Sequence, residues 1–110
     1  LAEARRRLEA DRLRLAQAKA DTRQMVQAAL IDIEVASRGR KLIEEVVLEQ
    51  NRSAYETAQA GYMAGQLDYA SLMRSLRNVI QARQDLNEAV RNLNRARLDL
   101  IASLGAASLP

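Results

Sequence analysis

Apolar residues recur at helical spacing along almost the whole chain, with one interruption near its middle. Residues 2–59 contain no proline and a single glycine, Gly39. They are rich in Ala, Leu, Arg, Glu and Gln, the strongest helix formers. The pattern predicts a long first helix over residues 1–60. We expect it to pass through Gly39, because no proline or capping pattern accompanies that glycine.

The second periodic segment is more regular than the first. From residue 72 onward, steps of four and three residues predict a heptad seam held over more than four repeats. Its members are Leu72, Leu76, Val79, Arg83, Leu86, Val90, Leu93, Arg97, Leu100 and Leu104. We expect a second long helix over residues 68–104, begun by Asp68 as N-cap and ended by Gly105 as a left-handed cap. Residues 105–110 would then be an exit segment.

Small residues form another row on the same helix, every seventh position. This row is Ser75, Ala82, Ala89, Ala96 and Ser103, and a polar row runs through Ser71, Asn78, Asp85, Asn92 and Asp99. The recurrence of alanine at every seventh position has a simple interpretation, since alanine is a good helix former. The alternative is a helix with neighbours on two sides, as in a barrel of helices, because small side chains let a second helix approach closely.

The interruption, residues 61–67 with the sequence "GYMAGQL", predicts a short turn between the two helices. Gly65 suits a position that needs positive φ. The fold class is therefore all-α, a long antiparallel helical hairpin of coiled-coil character. Tyr55, Tyr62 and Tyr69 are seven residues apart, but the turn breaks their register, so we predict no aromatic stripe.

Composition agrees with thin helix-to-helix seams rather than a globular core. Three tyrosines are the only aromatic residues, and Cys and His are absent. This absence removes thiolate nucleophiles, imidazole bases and the usual zinc ligands, and we expect no enzyme activity, cofactor or metal. The net charge of +3, with acids and bases interleaved, predicts a solvated helical surface rather than a nucleic-acid interface. The acid pairs Asp32/Glu34 and Glu44/Glu45 fit that surface better than catalysis.

No run of about 18 apolar residues exists, so we expect no membrane-spanning helix. The chain begins Leu-Ala-Glu without an initiator Met or signal peptide. We interpret it as a segment of a longer protein.

The turn and the helix after it resemble the outer membrane efflux protein family, the TolC-like channels. The resemblance starts with "YETAQAGYMAG", in which Tyr62 and Gly65 supply a Tyr-x-x-Gly motif, and continues with "LMRSLRNVIQARQDLNEAVRNLNRARLDLIASLG". The latter repeats the family's Ala- and Leu-rich rhythm through Leu72, Ala82, Leu86, Ala89, Leu93, Ala96 and Leu100. The spacing of "AEARRRLEADRLRLAQA" and "VQAALIDIEVA" extends the resemblance to about residues 2–105.

The resemblance implies a place in a larger assembly. Members of the family are homotrimers in the outer membrane of Gram-negative bacteria, with a helical barrel that projects into the periplasm. This chain would be one helical hairpin of that barrel, with its turn at the periplasmic tip. Membrane contact would come only through a β-barrel outside this segment. Its partners would be a periplasmic adaptor protein and, through the adaptor, an inner-membrane transporter.

The same resemblance assigns roles to residues of the turn. Tyr62 matches a tyrosine in the hydrogen-bonded latch that closes the entrance. Ala64, Gly65 and Gln66 would form the tip that docks the adaptor. Ser71 and Arg74 stand where some members carry aperture carboxylates, so we expect only weak block of this entrance by divalent cations.

Two other architectures are open on the residues alone. The first is the helical hairpin of a periplasmic adaptor protein, although "GYMAGQLDYAS" matches the usual tip pattern of such hairpins poorly. The second is a generic structural coiled coil or three-helix, spectrin-like repeat with a break at Gly39. A nucleic-acid-binding coiled coil would need a denser, one-sided basic face.

Overall fold

The computed structural model of this chain describes residues 1–108, and all of its regular structure is helical. Helix α1 spans Ala2–Leu42, a π-helical turn spans Ile43–Val47, helix α2 spans Leu48–Met63 and helix α3 spans Tyr69–Ser108. Leu42 and Leu48, which flank the π-turn, both have α-helical backbone angles. The first helical segment is therefore continuous through Gly39, as predicted. Its irregularity lies a few residues later, in a stretch where the apolar pattern predicted an ordinary α-helix.

Two compact units divide the chain. The hairpin unit is Glu34–Arg95 and contains the π-turn, α2, the turn and most of α3. The end unit is formed by Leu1–Ile33 and residues 96–108. Within the hairpin unit α2 and α3 are antiparallel neighbours, so the all-α class and the helical hairpin are confirmed.

Leu48, Val79 and Ala82 form the core cluster of the hairpin unit. Three further side chains, Val47, Tyr55 and Leu86, pack against this cluster and are partly buried. The core thus combines leucine and valine with a small residue on α3, and Ala82 is the most deeply buried residue of the described chain at 2% exposure.

The buried face of α3 agrees only in part with the predicted seam. Six of its ten members are buried or half-buried, whereas Arg83, Val90, Arg97 and Leu104 are exposed. Their place is taken by the row of small residues. We call the resulting face the inner seam: Leu72, Ser75, Val79, Ala82, Leu86, Ala89, Leu93, Ala96, Leu100 and Ser103. It is buried or half-buried throughout. The leucines and valine shared by both seams can form a buried face with either of two neighbouring rows. Here the row of small residues lies inward, because alanine and serine permit a closer approach of the partner helix.

Helix α3 does not end at Leu104. It continues through Gly105 to Ser108, so the predicted boundary of the exit segment and the left-handed cap at Gly105 are wrong. Among the described residues positive φ occurs at Gly65 alone. One helical glycine costs about 1 kcal/mol relative to alanine. The following Ala-Ala-Ser segment continues the helix at that moderate cost.

Candidate functional site at the hairpin tip

Gly65 closes α2 in a Schellman turn. Its φ is +73°, in the left-handed region that glycine adopts without strain. Its N–H donates to the carbonyl of Tyr62 at 3.0 Å, and the N–H of Gln66 donates to the carbonyl of Gly61 at 2.8 Å. These two bonds define the motif. Helix α2 therefore ends at Met63 and the turn occupies residues 64–68, slightly later than the predicted 61–67.

Asp68 caps the start of α3, as predicted. The backbone N–H of Ser71 donates to Oδ1 of Asp68 at 3.1 Å. Hydrogen bonds from the Ser71 side chain and backbone hold the pKa of the Asp68 carboxyl below its ordinary value, and Arg74 lowers this pKa further by a smaller charge interaction. Ser71 thus has a structural task at the helix start.

Tyr62 contacts Tyr69 across the turn. Their ring centroids are 6.0 Å apart and the ring planes are inclined at 62°, an edge-to-face arrangement. Both rings are exposed, Tyr62 to 42% and Tyr69 to 60%. This pair was not predicted from the sequence, because the turn interrupts the seven-residue spacing of the tyrosines. The hairpin brings the two residues together by reversing the chain between them.

A groove of about 940 Å³ lies beside the turn, between α2 and α3. Small or short polar residues line most of it. The lining consists of Ala54, Thr57, Ala58, Ala60, Gly61, Ala64, Gln66, Leu67, Ser71, Arg74, Ser75 and Asn78. We call it the tip groove. It is an open surface groove, and most of its lining residues are exposed.

The tip groove collects four of the six residues that the resemblance assigned to docking and to the aperture. Ala64 and Gln66 line it from the turn, and Ser71 and Arg74 line it from the first turns of α3. Gly65 and Tyr62 are not part of its wall. Gly65 shapes the turn, and Tyr62 lies against Tyr69. The adaptor and latch roles of these residues stay predictions.

The walls of the groove were not predicted from the sequence. Ala54, Ala58 and Gly61 on α2 face Ser75 and Asn78 on α3 across it. The signal was present as a run of small residues before the turn, which was interpreted only as helix-forming. These residues become the walls of a groove only when α2 is aligned with α3.

Charged side chains elsewhere behave as a solvated surface. Glu34 pairs with Arg38, Glu44 with Arg40 and Glu49 with Arg52, each within one helical segment. Such exposed pairs contribute little stability. Within residues 1–108 no group of three or more His, Cys, Asp or Glu side chains is placed to hold a metal ion. No helix in that range is long and apolar enough to cross a membrane.

No protein family matches this chain, and no curated protein or solved structure matches it. The resemblance to the outer membrane efflux family therefore rests on the residues quoted above.

Proposed function

We propose that this chain is a periplasmic helical hairpin of a trimeric outer membrane efflux channel. It would form part of the conduit wall and entrance, and dock a periplasmic adaptor protein of a tripartite pump at its tip. The observation that carries this proposal is a second row on α3, in which apolar side chains recur between polar ones and most members are exposed.

We call this row the outer row: Leu76, Ile80, Arg83, Asn87, Val90, Asn94, Arg97, Ile101 and Leu104. It follows the same steps of four and three as the inner seam. Ile80, Val90, Ile101 and Leu104 are between 39% and 64% exposed. Exposed apolar residues that recur along one face of a helix suit contact with a further helix. A helix with one covered and one uncovered row suits a barrel wall, where each helix has two neighbours.

The first helical segment also leaves a complementary set of apolar residues exposed. Ile31, Val35, Leu42 and Val46 are each at least 41% exposed. In a closed ring of hairpins, such residues on one copy would pack against the outer row of the next. That contact is heterologous, and repetition around an axis closes it into a ring.

The tip groove suits the adaptor contact. Its small walls accept a helix or helical turn from a partner, since apolar grooves lined by small side chains permit close helix approach. Ser71, Ser75, Asn78 and Gln66 supply polar groups at its surface, and Arg74 supplies one positive charge. We therefore expect the partner segment to be helical and to carry an acidic group opposite Arg74.

A channel chimera tests this function. Residues 1–108 would replace the corresponding hairpin of a Gram-negative outer membrane efflux channel, in cells that lack their own channel. We expect the chimera to restore growth in the presence of a pump substrate. Ala60→Trp, which fills the tip groove, should abolish the rescue, whereas Gln59→Trp, one residue away and outside the groove, should retain it. A chimera that reaches the outer membrane as a trimer but exports nothing would contradict the proposal, as would equal activity of the two variants.

A further inference from the structure

The heptad register of the first helical segment changes by one residue at the π-turn. Before the turn, the half-buried positions Ala36, Arg40 and Ile43 follow steps of four and three. Continuing those steps predicts burial at residues 47, 50, 54 and 57. Val47, the last residue of the π-turn, is half-buried as those steps require, whereas Gln50, Ala54 and Thr57 are exposed. The residues that face α3 beyond the turn are each one position later: Leu48, Asn51, Tyr55 and Ala58.

A π-turn accommodates such an extra residue. The N–H of Leu48 donates to the carbonyl of Ile43, five residues earlier rather than four. An i-to-i−5 turn takes one more residue than an α-turn to complete nearly the same rotation. The Asn51 side chain braces the junction from the α2 side by donating to the carbonyl of Val47 at 2.9 Å.

We propose that the π-turn Ile43–Val47 is a register device that re-aims α2 by one residue and thereby sets which of its faces stays open at the tip. Without it, the uninterrupted register would turn Ala54 and Thr57 toward α3. Tyr55 and Ala58 would turn outward, and the α2 side of the tip groove, which Ala54, Thr57 and Ala58 line, would be rearranged. Burial and hydrogen bonding support the change of register at the π-turn. Its consequence for partner docking rests on the proposed function.

A pair of single-residue deletions tests the register claim. Deleting Glu45, an exposed residue of the π-turn, leaves a chain that can continue as an uninterrupted α-helix with Leu48, Tyr55 and Ala58 still facing α3. Deleting Ser53, an exposed residue of α2, is the matched control. If the π-turn persists, this deletion moves Tyr55 and Ala58 out of register with α3. If the π-turn unwinds to compensate, the deletion moves Leu48 and Asn51 out of register instead.

Thermal unfolding of the 110-residue chain, followed by circular dichroism, supplies the comparison. We expect the Glu45 deletion to keep its midpoint within about 3 °C of the parent chain, and the Ser53 deletion to lower it by roughly 10 °C. Amide hydrogen exchange over residues 48–58 gives the same comparison without requiring a cooperative transition. Equal behaviour of the two deletions, whether both are tolerated or both are destabilising, would overturn the proposal. Because no partner takes part, this result is independent of whether the channel function is correct.

Discussion

The hairpin unit and the end unit contain parts of the same helices but differ in how much side chain they bury. In the hairpin unit, Leu48 and Val79 lie in a cluster with Ala82, and three further apolar side chains pack on it. In the described part of the end unit, only Ala29 and Ala96 are buried. Helical periodicity runs through both units. A regular apolar pattern therefore specifies a helix with a preferred face, and the identity of the facing residues decides whether a filled core results.

The end unit shows what an unfilled seam looks like. A groove of about 550 Å³ remains where Leu15, Thr22 and Val26 of α1 lie near Ala106 of α3. Leu8, Leu13, Leu15, Met25, Leu30 and Ile31 are all more than half exposed. This much exposed apolar surface marks a candidate interaction face. The hairpin unit is the better packed of the two units.

The largest effect should come from removing a seam leucine. Leu93 is 3% exposed in the inner seam, whereas Leu98 on the same helix is 65% exposed. Leu93→Ala should lower the free energy of unfolding by about 2–3 kcal/mol, because it removes a buried isobutyl group and leaves a cavity. Leu98→Ala should change it by less than about 0.5 kcal/mol. Urea unfolding of the two variants measures both values, and equal losses would contradict the assigned inner seam.

A change in the opposite direction, small to large, sharpens the same comparison. Ala82 lies against Leu48 and Val79 in the hairpin core. Ala82→Met should destabilise the chain by about 1–3 kcal/mol, because the closely approaching helices leave no space for a longer side chain. Ala102→Met is the control, since Ala102 is an exposed residue of α3 in the end unit. A harmless Ala82→Met would show that the small row does not mediate close packing.

Alanine substitutions at the two glycines of the tip should change the stability of the chain in opposite directions. Gly65→Ala forces an L-residue into φ near +73° and should cost about 1 kcal/mol. Gly61 is helical, and a methyl group there would lie 3.5 Å from Cβ of Leu67, an ordinary contact. Gly61→Ala should therefore stabilise the chain by about 0.5–1 kcal/mol. Denaturant midpoints of the two variants decide the matter, and a loss of stability in both would contradict the turn geometry.

The smallest effect concerns pH. The hydrogen bonds from Ser71 hold the pKa of Asp68 below its ordinary value of 3.8, so the native state binds this proton more weakly than the unfolded chain does. The resulting stability is fully present above that ordinary value and is lost as pH falls through the lowered native pKa. Asp68→Asn retains a capping oxygen but does not titrate. The difference in thermal midpoint between parent and variant should therefore shrink in acid, and a difference independent of pH would contradict the cap.

Much of the fold follows from local signals in the sequence. The two long helices, the Asp68 cap and the positive φ of Gly65 each depend on a few neighbouring residues, and each was predicted. The choice of inner seam was only half right, because the row through Leu72, Val79 and Leu86 is shared by two possible seams. Which one faces inward depends on how closely the partner helix approaches, and that is a tertiary property.

The features that were missed are those that arise between segments. The π-turn follows from the register of the segments on either side of it, and no residue type within Ile43–Val47 indicates it. The contact of Tyr62 with Tyr69 depends on how many residues the turn uses. At Gly105 the error was the reverse: a residue typical of helix ends was predicted to end α3 but lies inside it. The walls of the tip groove were likewise invisible until α2 was aligned with α3.

The central claim is that α3 uses its inner seam within the hairpin and its outer row between copies. Sedimentation equilibrium of the chain over a wide concentration range tests this most directly, with a variant carrying both Ile80→Arg and Val90→Arg on the outer row. A control variant carries Asn92→Arg and Ala102→Arg, which add the same charges to exposed positions off that row. We predict that the parent chain and the control associate as concentration rises, while the outer-row variant stays monomeric and helical. A parent chain that remains monomeric throughout, or an outer-row variant that associates like the parent, would contradict the claim.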